Sequence, residues 1–151
     1  MNASRDDFLK RISVMAGLSD AALSYLAGLA GEERYPAGAV IVREGEPGNR
    51  MFFISDGRVQ VIKGHGTARP VALAEFAAGD FFGEMSLIDT VSRSASVVAL
   101  EATTAFTLKG TDLYQLYRRQ PDQYGIVILN ISRDLARRLR KLDDKFHLVS
   151  Q

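Results

Sequence analysis

Two side chains of opposite charge, Glu84 and Arg93, lie nine positions apart in the stretch FFGEMSLIDTVSRSAS, residues 81–96. Small residues surround the arginine: Ser92, Ser94, Ala95 and Ser96. A guanidinium presents a planar fork of donors that matches phosphate or carboxylate oxygens. Small neighbours leave room for an anion and for backbone N–H groups to reach it. Gly83 lacks a Cβ, so backbone can approach a ligand closely there. A helical turn starting near it would aim free N–H groups at the same anion. Glu84 would repel that anion unless the ligand also carries hydroxyls, whose hydrogen bonds a carboxylate accepts. A phosphate joined to a sugar satisfies both halves. Two charge-assisted hydrogen bonds of about 1.5–3 kcal/mol each would supply much of a micromolar affinity, about −8 kcal/mol. The charges alone also admit a surface ion pair worth about 0–1 kcal/mol. The order of the residues around them has to decide.

The rest of the chain narrows the chemistry. Its 151 residues suit one domain, with 46% hydrophobic and 25% charged residues, as in an ordinary soluble globular protein. A formal net charge of +1 is no footprint for a dedicated nucleic-acid binder. Cysteine is absent, which removes disulfides, thiolate metal sites, iron–sulfur clusters and cysteine nucleophiles. The start, MNASRDDFLK, has no apolar core behind its charges and is no secretory signal. No apolar run approaches the length of a membrane span. A cytoplasmic chain is expected, and the starting Met1 suits a complete protein, with an excised domain as the alternative.

Three regions position the charged pair, and the fold class they spell is α+β, mainly β: an antiparallel β jelly roll or barrel flanked by N-terminal helices and a C-terminal helix pair. Residues 1–32 are predicted as helices. Ser4 to Asp7 resembles a capping box, Phe8, Ile12 and Met15 follow at helical spacing, and Gly17 ends that helix. Ser19 caps a second helix carrying Leu23, Leu26 and Leu29. Residues 33–110 read as a β-roll, with β-branched and aromatic runs broken by Pro-Ala-Gly, Glu-Gly, Pro-Gly, Asp-Gly and Gly-His-Gly. RVQVI alternates, VALAEF and SVVALEATTAFTLK supply further strands, and GHGTAR reads as a hairpin turn. Residues 111–151 are predicted as a short helix capped by Thr111 and a longer one with Pro121 in its first turn. Leu135, Leu139, Leu142, Phe146 and Val149 recur at near-heptad spacing, and two copies are expected to pair along that seam, packing against the barrel being the alternative.

The residues FGEMSLIDTVSRSASVVA resemble the phosphate-binding cassette of cyclic nucleotide-binding domains: Phe-Gly-Glu, an apolar residue, a small one, Leu, a short turn, then Arg with small residues after it. YPAGAVIVREGEPGNRMFFISDGRVQVI is similar to the first half of the same family, the Crp/Fnr-type sensor domains, and to the cytoplasmic domains of bacterial cyclic nucleotide-gated potassium channels. The resemblance runs from about Leu18 to Leu142. It implies that Glu84 accepts from the ribose 2′-hydroxyl and that Arg93 pairs with the cyclic phosphate. Backbone N–H groups of Gly83, Met85, Ser86 and Ala95 would line the anion pocket. Ser94 would reach phosphate or base, and Val61 and Leu73 would lie against the base. Two departures stand out: Ser92 replaces the usual proline before the arginine, and Ser86 the commoner alanine.

The resemblance further implies a sensor for a cyclic mononucleotide, cAMP favoured over cGMP, and not an enzyme. No catalytic residue, metal or cofactor is expected. Leu142 and Asp143 are candidates for a lid over the base. The partner would be an effector protein, with no direct DNA binding, since the chain ends where relatives continue into a helix-turn-helix. The other readings are a domain that has lost its ligand, a sensor for a cyclic dinucleotide, a cupin-like metal enzyme and a haem sensor. His65 and His147 have no partners at metal-ligand spacing.

Overall fold

The computed structural model describes residues 2–84 and 92–150, with the backbone alone at 2–4, 6 and 148–150. In chain order the elements are α1 (Asn2–Lys10), a 3₁₀ turn (Ser13–Met15) and α2 (Asp20–Leu29). The strands are β1 (Gly31–Tyr35), β2 (Val40–Val42), β3 (Arg50–Asp56), β4 (Arg58–Lys63), β5 (Val71–Ala77), β6 (Phe81–Phe82), β7 (Ser96–Ala99) and β8 (Thr103–Lys109). Helices α3 (Gly110–Arg119) and α4 (Pro121–Ser150) follow. The helix–roll–helix order is the one expected.

Two antiparallel four-stranded sheets form the roll, in the orders β1-β8-β3-β6 and β2-β7-β4-β5. They face each other without closing, so the architecture is an open roll rather than a sealed barrel. In the first sheet, β3 is apolar on both faces. On β3, Met51 and Phe53 point to one core with Phe81, Phe106 and Leu108, against α1, α2, α3 and α4. Phe52 and Ile54 point to the other core, with Val42, Val59, Phe82, Val97 and Ala105. Strict alternation along MFFI therefore joins three layers: helices, first sheet, second sheet. At about 25 cal/mol per Å² of buried apolar area, such fully buried aromatic and aliphatic side chains contribute about 1.5–3 kcal/mol each.

Local signals differ from expectation at helix starts. α1 already begins at Asn2, so Ser4 lies inside the helix instead of capping it. It ends at Lys10, and Ile12 and Met15 reach the core from beyond it. Ser19 caps α2, its hydroxyl accepting from Ala22 N at 3.1 Å. α3 begins at Gly110, one residue before Thr111, and Asp112 closes its first turn by accepting from Lys109 N at 2.8 Å. β1 starts at Gly31, ahead of the expected boundary at 33. No helix among the described residues is long and apolar enough to cross a membrane.

α4 is moored to the N-terminal segment through a buried polar group. Asn130 is 8% exposed, and its Nδ2 donates to the carbonyls of Val14 and Ala16, both at 2.8 Å. Val127 and Ile131 pack beside it in the helical core. Replacing Asn130 by alanine removes the donor that both carbonyls share. We expect Asn130→Ala to lower unfolding free energy by about 1–3 kcal/mol, measured as a drop in the urea midpoint at unchanged slope.

Candidate functional site

The two ends of the opening stretch meet through turn geometry. β6 carries Phe81 and Phe82 into opposite cores, and Gly83 then turns the chain at φ +86°. A Cβ there would lie 2.9 Å from Arg50 O and 3.0 Å from Arg93 Nη1, so only glycine fits both the backbone and the space. Arg93 arrives from the other side of the cassette. Its N–H donates to Glu46 O and its carbonyl accepts from Gly45 N, both at 2.8 Å, with Ser92 bridged to Pro47 alongside. The Glu-Gly-Glu-Pro turn thus acts as a short strand partner that fixes where the arginine emerges.

Its side chain is then locked. Arg93 Nη2 donates to Arg50 O at 2.9 Å and Nη1 to Gly83 O at 3.3 Å, with the guanidinium carbon 6.0 Å from the centre of the Phe52 ring. Burial pulls the Arg93 guanidinium below its ordinary range, the nearby Arg50 cation adds to this, and Glu84 opposes it. Arginine remains charged regardless. Arg50 is itself held away by Glu33 on β1 and lies over Phe52, 4.9 Å from its centre. Gly48 passes directly against Arg93, where a Cβ would come within 2.3 Å of Nε.

Glu84, Arg93, Gly83, Ser94 and Ala95 border one cavity of about 200 Å³, together with Val42, Val61, Ala74, Phe76, Phe82, Val97 and Arg138. Its lining combines charged groups and backbone with aliphatic and aromatic side chains. Phe52, Phe82 and Phe76 form a stack, with centroids 4.7 Å and 6.5 Å apart, and the last two border the cavity. Glu84 is 7% exposed, so the charged pair is no exposed surface bridge. Its carboxylate lies 3.5 Å from Arg138 of α4.

Several expected residues sit elsewhere. Met85 and Ser86 lie outside the described residues. Leu73 is 50% exposed and does not line the cavity. The ladder pairs Val61 with Ala74 and Ile62 with Ala72, so Leu73 is the extra residue of a β-bulge. Ala74 and Phe76 pair with Val61 and Val59 and share their inward face, and Leu73, next to Ala74, points outward by strand alternation. Leu142 and Asp143 are exposed on α4, and neither borders the cavity. The residue of α4 that does is Arg138. It lies seven positions after the buried Ile131, an inward helical position, but a basic run, Arg-Arg-Leu-Arg-Lys, hides it. Phe76 and Gly48 are further residues that sequence reading passes over.

Comparison with known proteins places this geometry in context. Residues 32–120 match the family described as "Cyclic nucleotide-binding domain". The cyclic AMP receptor protein of Thermus thermophilus is 37% identical over 131 residues, 87% of this chain and 57% of its own. The chain therefore spans little more than half of that relative. A crystal structure of a cyclic nucleotide-binding domain from Methylobacillus flagellatus superposes with a TM-score of 0.84 at 30% identity, over 93% of this chain and 83% of the other. The regulatory domain of Toxoplasma gondii PKA, crystallised with cAMP, superposes at 0.75 and 26% identity, over 90% and 50%.

The close pass of Gly48 yields a direct test of how Arg93 is placed. A methyl group there must push the guanidinium out of its carbonyl cradle. We expect Gly48→Ala to weaken cyclic nucleotide binding by about tenfold or more with the urea midpoint little changed, read by calorimetric titration beside denaturation.

Proposed function

The chain belongs to the cyclic nucleotide-binding domain family, and from that premise we propose that it is a non-enzymatic sensor whose cavity takes a cyclic mononucleotide, cAMP in preference to cGMP. One observation carries the reading: Glu84 and Arg93, nine positions apart in the chain, border the same cavity together with apolar side chains. In this reading the Arg93 fork pairs with the cyclic phosphate, assisted by N–H groups of Gly83 and Ala95. Glu84 accepts from the ribose 2′-hydroxyl. The base lies against Val61, Ala74 and Phe76, with Ser94 at its edge. The preference for cAMP rests on the Thermus receptor's name and on the nucleotide in the Toxoplasma structure.

Charge supports a mononucleotide over a cyclic dinucleotide. Among the described residues, the cavity is bordered by two arginines and one glutamate, a surplus of one positive charge. A cyclic phosphodiester brings one negative charge and balances it. A cyclic dinucleotide brings two, and leaves a net anion in a partly desolvated site.

Output passes to a protein partner through the C-terminal helix. Leu139, Leu142 and Phe146 are 60%, 49% and 66% exposed on α4, which is a large apolar stripe for a free surface. In the homodimer we propose, this stripe pairs with its copy, coiled-coil fashion. Sedimentation equilibrium should show a dimer for wild type and a monomer for Leu139→Glu/Phe146→Glu. A monomeric wild type would remove the dimer from the proposal.

Calorimetric titration with cAMP, cGMP and a cyclic dinucleotide tests the ligand. Arg93→Ala should cost about 10–100-fold in affinity and Glu84→Gln about tenfold, the loss of one charge-assisted hydrogen-bond set each. Arg93→Lys should not restore binding, because an ammonium cannot reproduce the fork. Equal affinity of wild type and Arg93→Ala would sink the reading.

A further inference from the structure

Glu84 does not stand alone in the cavity. Its Oε1 lies 3.5 Å from Arg138 Nη1, with the Glu84 side chain 9% exposed and that of Arg138 30%. The same guanidinium donates from Nη2 to Phe81 O at 2.8 Å. Its carbon sits 4.6 Å from the centre of Phe76 and 4.3 Å from the centre of Phe81. Charge, hydrogen bond and two ring faces fix it from different directions. A guanidinium so fixed can orient a carboxylate at little further entropic cost. Arg138 is also the one residue of α4 that borders the cavity among those described. After it, every residue from 139 to 147 is exposed, so Arg138 is the last half-buried position before the projecting end of the helix.

We infer that Arg138 is a positioning residue of the ribose subsite: it holds one oxygen of Glu84 and leaves the other to accept from the 2′-hydroxyl, so that α4 feels occupancy of the cavity through this side chain. The inference rests on the proposed nucleotide reading. It goes beyond that reading in naming what orients the acid and what joins the site to the projecting helix. Without Arg138 the Glu84 side chain would lose its fixed direction, and the 2′-hydroxyl would then be recognised poorly. Contact of Arg93 with the phosphate would be untouched. The expected signature is thus a loss of discrimination between ribose and deoxyribose rather than a uniform loss of affinity. A ligand that draws Glu84 toward its sugar also changes the ion pair with α4, and a shift in helix position follows only from that differential contact.

The test uses the full chain, with cAMP and 2′-deoxy-cAMP as probes. Wild type should prefer cAMP by about tenfold or more, the worth of one charge-assisted hydrogen bond. In Arg138→Gln the preference should fall to about threefold or less, while affinity for 2′-deoxy-cAMP stays near that of wild type. Arg138→Lys should behave like the glutamine variant, since an ammonium cannot pair with Glu84, reach Phe81 O and cover two rings together. Glu84→Gln should abolish the preference and make Arg138→Gln silent on it, which a merely structural role would not do. In unliganded protein, Arg138→Gln should speed amide exchange over the half of α4 that contains and follows residue 138. An unchanged ratio between the two nucleotides in Arg138→Gln overturns the positioning role, whatever the exchange shows. Unchanged exchange overturns the link to α4. A wild type that binds neither nucleotide overturns the ligand reading and the ribose subsite with it, a failure distinct from the other two.

Discussion

Arg93's guanidinium, laid against Phe52 and gripped by the carbonyls of Arg50 and Gly83, is the contact around which the rest of the site is arranged. A cation drawn out of water must be compensated by nearby acceptors, or the desolvation cost exceeds what any ligand returns. The carbonyls supply that compensation. They are available because β3 pairs with β6 only at Phe52 and Phe53, which leaves Arg50 beyond that ladder, and because Gly83 adopts a positive φ. Gly48 leaves the gap through which the side chain passes, and Glu33 draws Arg50's own cation aside. A Cβ at Gly48 or Gly83 would collide with the guanidinium where it now lies.

The two-sided first sheet serves that arrangement. Phe52 is stacked on Phe82 in the core between the sheets, while Phe53 and Phe81 are buried against the helices. The ring under Arg93 is therefore part of a close-packed interior and cannot swing away. The same alternation sends Phe81 toward α4, where its ring and carbonyl meet Arg138. One dipeptide, Phe81-Phe82, thus touches the helical layer with its first residue and the cavity wall with its second. Because neighbouring strand residues point to opposite faces, the short β6 connects site and helix without any long network.

What could be read from residue order was whatever depends on local geometry or on a contiguous pattern. The turn dipeptides and β-branched runs marked the strands, Ser19 marked a helix start, and the cassette stood in sixteen contiguous positions, 81–96. What could not be read was whatever depends on a register or on two distant segments meeting. The extra residue opposite Val61–Ile62 belongs to a register between two strands, and no residue type announces it. Arg138 is chemically indistinguishable from its basic neighbours until α4 is laid against β6. Gly48 reads as a turn residue, while its packing role comes from a side chain forty-five positions away. Two helices begin ahead of the residue that the sequence marks as their cap, α1 at Asn2 before Ser4 and α3 at Gly110 before Thr111.

The bulge at Leu73 has an effect away from the cavity. β5 is the outer strand of its sheet, with Val71 54% and Leu73 50% exposed and its backbone unpaired on one side. A flat apolar strand in that position is a template on which another extended chain can add itself. An extra residue opposite Val61–Ile62 twists the strand out of plane and breaks the regular spacing of its free N–H and C=O groups. Such an irregularity blunts an edge strand against edge-to-edge self-association. A substitution that straightened β5 would be felt first as a loss of solubility.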